Sequence, residues 1–407
     1  MQLFNTMTQQ IEPFVAQDNR AGLYVCGVTP YDTAHLGHAF VFSTFDNLVR
    51  VLRYGGVVVT YVQNVTDIDD PLFEKANALG NITWDELARQ ETARFVKEMT
   101  AIHVNMPEHF VRASDELPAM FTLIEQLIEK GYAYIVDGWI YFAVNKDPHY
   151  GQLAAAAGLK GYDNLLATAN QNGNDPTDPR KHDPLDFLLW RGAVAGEPSW
   201  SSPWGEGRPG WHIECSAMAT RYLGPQVDIH GGGSDLIFPH HSSEIAQSEN
   251  ATGVTPYVRH WMHISMVALK GTKMSKSLGN LVIVNQLMQD YSPNAIRILL
   301  ASHHYRTAWE YFTEQSEQAQ LTANRFQIAV RGEVADTIMP ATGLTATYTN
   351  QCIEALKNDL NTPAAIAELT LLADSLLDER IPAEDAPAAR RWLIDLAGLM
   401  GIELMHV

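Results

Sequence analysis

A strand-to-helix turn near the amino terminus constrains this chain more than any other feature. Gly22–Val25 has the composition of a strand, and Leu36–Tyr54 carries apolar residues at helical spacing until Gly55 and Gly56 end the pattern. A continuous β-branched run follows over residues 57–62, as is typical of a buried parallel strand. The three segments therefore predict a βαβ unit within an α/β sheet.

Small and polar residues follow the first two predicted strands. Ligands of such sheets lie beyond the carboxyl ends of the strands, so Cys26–Thr29 and Asn64–Thr66 are expected to meet over one crevice. The adjacent helix start would direct backbone N–H groups and the positive end of its dipole at an anion. We therefore predict a nucleotide site here, and we interpret Asp69 and Asp70 as helix-capping, solvated residues.

The patterning changes between about residues 130 and 205. Ala133–Val136 and Trp139–Phe142 flank Asp137 and Gly138, which predicts a tight hairpin with a type I′ turn. Residues 167–183 are rich in Asn, Asp, Gly and Pro, which predicts an exposed loop. We predict a Rossmann-like domain over 1–129 and 206–285, an inserted α+β domain over 130–205, and a helical C-terminal domain over 286–407.

The bulk composition excludes several classes of protein. With 407 residues, 46% of them hydrophobic and 18% charged, the chain is expected to be globular, with two or three domains. We expect neither an export leader nor a membrane helix, since no basic segment followed by an apolar stretch is visible and no apolar run approaches the about 20 residues that such a helix needs. Three cysteines do not make a disulfide framework, so a reducing cytoplasm is expected. The net charge of −19 argues against a broad nucleic-acid footprint.

Two cysteines and a histidine lie at predicted strand ends or helix starts. A lone cysteine such as Cys26 or Cys215 is more often a small buried apolar residue than a ligand, and Cys352 is interpreted in that way. Glu244, however, follows His240 by four residues, which places both on one face of a helix. This neighbourhood favours a zinc centre with an open position, held by two cysteines, His240 and, as a candidate fourth ligand, Glu244.

Two further tracts indicate phosphate chemistry. The histidines of His35–His38 stand at a predicted helix start, where imidazoles can hydrogen-bond phosphate oxygens. The lysines of Lys273–Ser277 lie on a loop and could neutralise charge developing on a leaving pyrophosphate. Either tract alone is weak evidence, but both in this order, separated by an inserted domain, predict ATP-dependent chemistry.

These tracts resemble the "HIGH" and "KMSKS" signatures of class I aminoacyl-tRNA synthetases. Within that class the chain is similar to the cysteine-activating branch over essentially its whole length. The resemblance extends to Gly210–Ser216, His230–Asp235 and Phe238–His241. It implies a zinc ion held by Cys26, Cys215 and His240 that binds the thiolate of the substrate cysteine, and a soft sulfur prefers zinc far more than a serine hydroxyl does. It also implies ATP as a substrate, with Mg²⁺.

The resemblance assigns roles to residues of this sequence. His35 and His38 are expected to contact phosphate, and Lys273 and Lys276 to stabilise the transition state. Thr66 and Trp211 are expected to wall the cysteine pocket, Asp235 to face the ribose, and the backbone of Val267 to contact adenine. The full set expected to contact cysteine or the adenylate is Cys26, Gly27, Val28, Thr29, Val41, Asn64, Val65, Thr66, Trp211, Gly233, Ser234, Asp235 and Val267.

The cysteine branch has two members with different acceptors. One charges tRNA with cysteine, and the other, the ligase of mycothiol biosynthesis, joins cysteine to the amine of glucosaminyl-inositol. The turn over 27–32, His38 in place of the usual asparagine of the synthetase, and the segment over 63–73 resemble the ligase. Residues 341–407 also contain four Lys and Arg residues against ten Asp and Glu residues, a poor surface for phosphates.

Other features resemble the tRNA synthetase. Glu244 occupies the position of its fourth zinc ligand, residues 170–176 depart from the Arg-Gly-Gly-Asp-Pro motif of the ligase, and Val41 replaces a threonine of the ligase. We favour the small-amine ligase and keep tRNA charging as the alternative. A catalytically silent paralogue that binds cysteine or zinc is a third hypothesis, which the intact lysine loop and both signature histidines disfavour.

Overall fold

The computed structural model of the chain describes residues 1–30, 34–274 and 279–405, and of Lys273 the backbone alone. Its first part contains the predicted βαβ unit, since the two strands on either side of the long first helix pair in parallel. The elements up to residue 129 are β1 (Gln2–Asn5), β2 (Gln10–Pro13), β3 (Arg20–Val28), α1 (Leu36–Tyr54), β4 (Val58–Val65), α2 (Asp70–Leu79), α3 (Trp84–Ala101), β5 (His109–Arg112) and α4 (Leu117–Glu129).

The inserted segment folds around an antiparallel sheet. Asp137 and Gly138 have φ of 50° and 79°, as a type I′ turn requires, so the predicted hairpin is confirmed. The loop predicted from residue 167 was wrong at its start, because a helix that packs Leu165 and Leu166 against the core continues to Gln171. The elements are β6 (Ala133–Val136), β7 (Trp139–Phe142), α5 (Gln152–Ala156), α6 (Tyr162–Gln171), β8 (Phe187–Gly192), β9 (Trp200–Ser202) and β10 (Gly205–Pro209), with sheet order β6-β7-β8-β10-β9.

The chain then completes the parallel sheet and ends in a helical region. The elements are α7 (Trp211–Leu223), β11 (Val227–Gly233), α8 (Ser242–Thr252), β12 (Val258–Ile264), β13 (Val267–Leu269), β14 (Thr272–Lys273), α9 (Val284–Asp290), α10 (Pro293–Ala301), β15 (Trp309–Glu310), α11 (Thr313–Ala329), α12 (Gly343–Lys357), α13 (Thr362–Leu377) and α14 (Ala386–Gly398). The parallel sheet has the order β12-β11-β3-β4-β5, and its carboxyl edge carries the loops that follow β3, β4 and β11.

The parallel sheet is covered by a hydrophobic core on each face. Side chains alternate along β3, so Leu23 and Val25 pack with α1 and the C-terminal helices, whereas Tyr24 and Cys26 pack with α4, α7 and α8. Cys26 therefore faces the helices α7 and α8. The register of β3 against β4 then shifts between Val25 and Val28, which changes the direction of the strand end. Cys352 is buried in the other core, as expected.

A buried arginine joins the first helix to the C-terminal region. Arg297 on α10 donates from Nη2 to Oδ2 of Asp46 on α1 over 2.8 Å, and from Nε to the carbonyl of Met400 over 2.7 Å. Arg50, one turn after Asp46, donates to the carbonyl of Gly398. These bonds fix α1, whose amino terminus carries the signature histidines. Among the described helices, none is both long and apolar enough to cross a membrane.

Candidate active site and metal centre

The residues predicted to line the adenylate meet at the carboxyl edge of β3 and β4. The backbone N–H of Gly27 donates to Oδ1 of Asn64 over 2.7 Å, and Nδ2 of Asn64 donates to Oγ1 of Thr66 over 2.9 Å. The N–H of Thr66 in turn donates to the carbonyl of Val28. A Cβ atom at Gly27 would lie 1.7 Å from the carbonyl oxygen of Asn64, so only glycine permits this approach of the two loops.

Four potential metal ligands converge beside this turn. Cys26 lies near the end of β3, Cys215 lies on α7, His240 precedes α8, and Glu244 lies in the first turn of α8. All four side chains are buried, and their ligand atoms lie within 4.8 Å of one another. The structure therefore brings together every residue of the predicted zinc set, the candidate fourth ligand included.

The separations between these ligand atoms fit a tetrahedral zinc ion. Sγ of Cys26 lies 3.8 Å from Sγ of Cys215 and 3.7 Å from Oε1 of Glu244, and that Oε1 lies 3.3 Å from Nε2 of His240. With Zn–S of about 2.3 Å and Zn–N or Zn–O of about 2.1 Å, a tetrahedral ion gives about 3.8, 3.6 and 3.4 Å for these pairs. Two soft sulfurs, an imidazole and a carboxylate also form a donor set that suits zinc.

The electrostatics of the pocket require a cation if the thiols are to ionise. Burial raises the pKa of the Cys26 thiol well above its ordinary value and also raises the pKa of the Cys215 thiol. Burial lowers the pKa of His240 well below its ordinary value, which keeps the imidazole neutral and able to act as a ligand. Binding of a metal ion here would therefore release protons from the thiols.

Four further histidines, to which no role was predicted from sequence, surround this set. Nδ1 of His212 lies 2.9 Å from Nδ1 of His240, and Nε2 of His230 lies 2.8 Å from Oε2 of Glu244. Such hydrogen bonds orient the side chains that hold a metal ion. His212, His230 and His241 stand in the segments that carry the family resemblance, so proximity to a ligand in sequence was an available signal. His263 lies on β12, remote in sequence from the ligands, so no such signal pointed to it.

A second, overlapping ligand set shares two residues with the first. Nε2 of His241 lies 3.3 Å from Sγ of Cys26, and Nδ1 of His241 lies 2.7 Å from Nε2 of His263. Cys26, His230, His241 and Glu244 consequently also lie within the spacing of a metal site. The first set, with two sulfurs, is the softer donor set and is the one that matches the predicted ligands.

The signature histidines stand together at the start of α1. His35 is the N-cap, where its Nδ1 accepts from the N–H of His38 over 3.4 Å, and the two rings stack with centroids 3.8 Å apart. The N–H of Leu36 donates to the carbonyl of Val282, and the N–H of Val284 donates to the carbonyl of Ala34. The segment after the lysine loop is thus tied to the helix start.

The predicted lysines can be placed only in part. The backbone of Lys273 ends β14, and the N–H of Met274 donates to the carbonyl of Val267. Lys276 lies outside the described residues, as does the side chain of Lys273. The bonds of Leu36 and Val284 show that the segment after the loop is held beside the start of α1.

The remaining predicted contacts lie around the same edge. Gly233 ends β11, and Ser234 and Asp235 form the turn that follows it. The ring of Trp211 stacks on that of His240 with centroids 4.4 Å apart and is 39% exposed, so it lies between the metal ligands and solvent. Val267 is buried in the core against which Val41 packs, so its side chain is enclosed by that core.

Comparison with known proteins gives a consistent result. Residues 13–321 match the family of tRNA synthetases class I (C) catalytic domain. The chain is 42% identical over 408 residues to the L-cysteine:1D-myo-inositol 2-amino-2-deoxy-alpha-D-glucopyranoside ligase of Thermomonospora curvata, covering 99% of this chain and 94% of that protein. It is 41% identical over 406 residues to the cysteine–tRNA ligase of Dehalococcoides mccartyi, covering 100% of this chain and 87% of that protein.

Solved structures show the same fold at low sequence identity. The methionyl-tRNA synthetase of Mycobacterium tuberculosis in complex with methionyl-adenylate superimposes with a TM-score of 0.63 at 16% identity, covering 94% of this chain and 89% of that one. The leucyl-tRNA synthetase of Agrobacterium radiobacter K84, in a ternary complex with tRNA, superimposes with a TM-score of 0.64 at 11% identity. The match covers 94% of this chain and 83% of that one.

Proposed function

The chain belongs to the family of class I tRNA synthetases with the cysteine-type catalytic domain, and on this premise we propose that it ligates L-cysteine to a small amino sugar. Its relatives under both names are cysteine ligases, so ATP-dependent ligation of cysteine is common to both candidate functions. The finer proposal is formation of cysteinyl-adenylate, followed by transfer of cysteine to the amine of glucosaminyl-inositol. The observation that carries the activation of cysteine is the buried set of two thiols, an imidazole and a carboxylate directly beside the turn predicted to bind ATP.

In the first step, a carboxylate oxygen of cysteine attacks the α-phosphorus of ATP, and the bond to pyrophosphate breaks with its electron pair on the leaving group. His35 and His38 at the amino terminus of α1 would hold phosphate oxygens beside the positive end of the helix dipole. Lys273 and Lys276 would neutralise the charge that develops on pyrophosphate. The loops that carry Gly27 and Asn64, which a hydrogen bond joins, would form the wall along the adenylate.

Selection of cysteine would occur at the metal centre. Cys26, Cys215 and His240 would hold zinc, which when bound offers a soft position for a substrate thiolate that a serine hydroxyl cannot match. Discrimination of this kind can be large enough to make a separate editing site unnecessary. Glu244 would either complete the ion's shell before the substrate binds or remain in hydrogen-bond range of His230.

The acceptor is the finer part of the proposal. Relatives of both names are about equally similar to the chain, so similarity alone does not choose between them. The local resemblances of the first turn and the acidic composition of residues 341–407 support a small amine over a polyphosphate chain. The presence of Glu244 in the ligand set supports tRNA charging, which is the second candidate.

Two assays separate these candidates. Cysteine-dependent exchange of ATP with pyrophosphate measures the first step without any acceptor. Glucosaminyl-inositol and tRNA are then offered separately, and AMP release and the cysteinyl product are quantified. We expect ligation to the amino sugar and none to tRNA. Charging of tRNA alone would establish the second candidate, and an absence of exchange would favour the catalytically silent paralogue.

A further inference from the structure

A cleft of about 620 Å³ separates the Rossmann-like part from the inserted segment. Thr29, Trp211 and His212 line it on the Rossmann-like side, and Trp211 and His212 both contact the ring of His240. The loop over residues 172–175 lines it on the side of the inserted segment. The cleft therefore adjoins the predicted cysteine and adenylate site, and its volume is within the about 300–1,000 Å³ typical of small-molecule sites.

The cations that line this cleft are already engaged by protein groups. Arg208 pairs with Asp70, and Lys181 donates to Oδ1 of Asn174. The two other arginines of the cleft also form ion pairs. Arg180 pairs with Asp178 over 2.8 Å, and Arg191 pairs with Glu197 over 3.0 Å. A phosphate backbone would have to break these pairs, whereas uncharged hydroxyl groups can add hydrogen bonds to them. The wall therefore favours a polyhydroxylated ligand over a nucleic acid.

Asp69 differs from the ion-paired carboxylates of the cleft. Its Oδ2 accepts from Oγ1 of Thr29 over 3.0 Å, and although the charge of Arg208 acts on this carboxylate, its described hydrogen-bond partner is a hydroxyl. As the N-cap of α2 it makes no side-chain capping bond, and the capping role expected from sequence was therefore wrong. The bond to Thr29 instead holds this carboxylate at the predicted adenylate turn. A half-buried carboxylate in this position suits an ammonium group.

We propose that this cleft is the acceptor subsite, in which Asp69 binds the ammonium group of a small polyhydroxylated amine and the loop over residues 172–175 binds its distal hydroxyl groups. This proposal rests on the proposed function and locates the acceptor of that function in the cleft. In the transfer, the ammonium gives one proton to Asp69, and the amine nitrogen bonds to the carbonyl carbon of the adenylate. The bond from that carbon to the phosphate oxygen breaks, AMP leaves with its electron pair, and the second nitrogen proton passes to AMP or to solvent.

Asp69→Asn tests the ammonium contact in the zinc-loaded 407-residue chain. Loss of a hydrogen bond to a charged group typically costs about 1.5–3 kcal/mol, so kcat/KM for glucosaminyl-inositol should fall about 10- to 150-fold. The ratio of ligation to cysteine-dependent pyrophosphate exchange should fall by the same factor. Asp163→Asn, an exposed aspartate on α6 that does not line the cleft, is the matched control and should leave that ratio unchanged.

Asn172→Ala tests the orientation of the acceptor. With glucosaminyl-inositol its KM should rise about fivefold or more, because a neutral hydrogen bond is worth about 1 kcal/mol. With glucosamine, which lacks the distal ring, the same variant should match the unmodified protein. An unchanged ratio in Asp69→Asn, or an equal fall of exchange and ligation, would overturn the subsite while leaving the proposed function intact. Charging of tRNA in place of amine ligation by the unmodified protein would overturn both.

Discussion

The Sγ atoms of Cys26 and Cys215 lie 3.8 Å apart although 189 residues separate the two cysteines in sequence. A disulfide would bring them to about 2.05 Å, whereas two thiolates on one tetrahedral zinc ion lie about 3.8 Å apart. A shared ion would account for this separation, with His240 and Glu244 as its other ligands. The end of β3 and the helix α7 thus place two thiols where they could hold a soft metal ion.

Cys215→Ser should abolish tight zinc binding. The purified protein should contain about one zinc per chain, and the variant less than about one tenth of that, because the hydroxyl is a poor ligand for this ion. Zinc content measured by atomic emission checks this. Cys352→Ala is the control, since Cys352 is buried in the other core and its variant should retain zinc. Full zinc content in Cys215→Ser would remove Cys215 from the ligand set.

His212→Ala should weaken zinc binding although His212 is not in the predicted ligand set. Its Nδ1 lies 2.9 Å from Nδ1 of His240, and loss of such an orienting bond typically costs about 10- to 100-fold in metal affinity. Competition with a chromophoric chelator measures this. His212→Gln, which can still hydrogen-bond, should recover part of the affinity. Equal affinities in all three proteins would show that the contact does not orient His240.

Gly27→Ala should disrupt the end of β3, which is predicted to contact the adenylate. Because the new Cβ would lie 1.7 Å from the carbonyl oxygen of Asn64, the two loops must separate, at a cost of about 1–3 kcal/mol. We expect a lower midpoint of urea unfolding and loss of pyrophosphate exchange. Gly398→Ala, where a Cβ meets nothing within 4 Å, should preserve both properties. Normal exchange in Gly27→Ala would mean that the turn tolerates displacement.

Arg297→Met should destabilise the protein by about 3–5 kcal/mol, because it leaves the buried carboxylate of Asp46 without its partner on α10. Urea unfolding of the variant measures the loss. The double variant Asp46→Leu/Arg297→Met should be less destabilised than the sum of its single variants, since the buried charge is then absent. Strict additivity would indicate that Asp46 relies on Arg50 instead.

Local patterns predicted the elements that position the site. The βαβ unit, the hairpin at Asp137 and the helix that begins after His35 each follow from short-range periodicity and turn chemistry. The loop expected from residue 167 began too early because Asn-rich composition concealed helix-forming residues whose neighbours Leu165 and Leu166 reach the core.

Contacts between distant segments could not be predicted in the same way. The bond between His241 and His263 depends on how β12 packs beside the segment before α8, which local sequence does not encode. The carboxylate of Asp69 similarly reaches Thr29 across the βαβ unit instead of capping its own helix. The candidate zinc set was inferred from the spacing of His240 and Glu244 and from family resemblance, and the structure then supplied the separations between its ligand atoms.

Lys273→Ala should remove pyrophosphate exchange while zinc remains bound. This expectation comes from the sequence tract, and loss of one oriented charge at a transition state typically costs about 3–4 kcal/mol, or about 10²- to 10³-fold in rate. Exchange and zinc content measured on the same preparation check it. Normal exchange would contradict the role given to this lysine.

The central claim is that cysteine is selected through its thiol at a zinc site and is activated at its carboxylate by ATP at the turn between β3 and α1. Pyrophosphate exchange measured with cysteine and with serine on the same zinc-loaded preparation tests it most directly. The account predicts exchange with cysteine and about 10⁴-fold less with serine, since a site built around one polar group strongly rejects a ligand lacking it. Equal exchange with both amino acids, or exchange with neither, would contradict it.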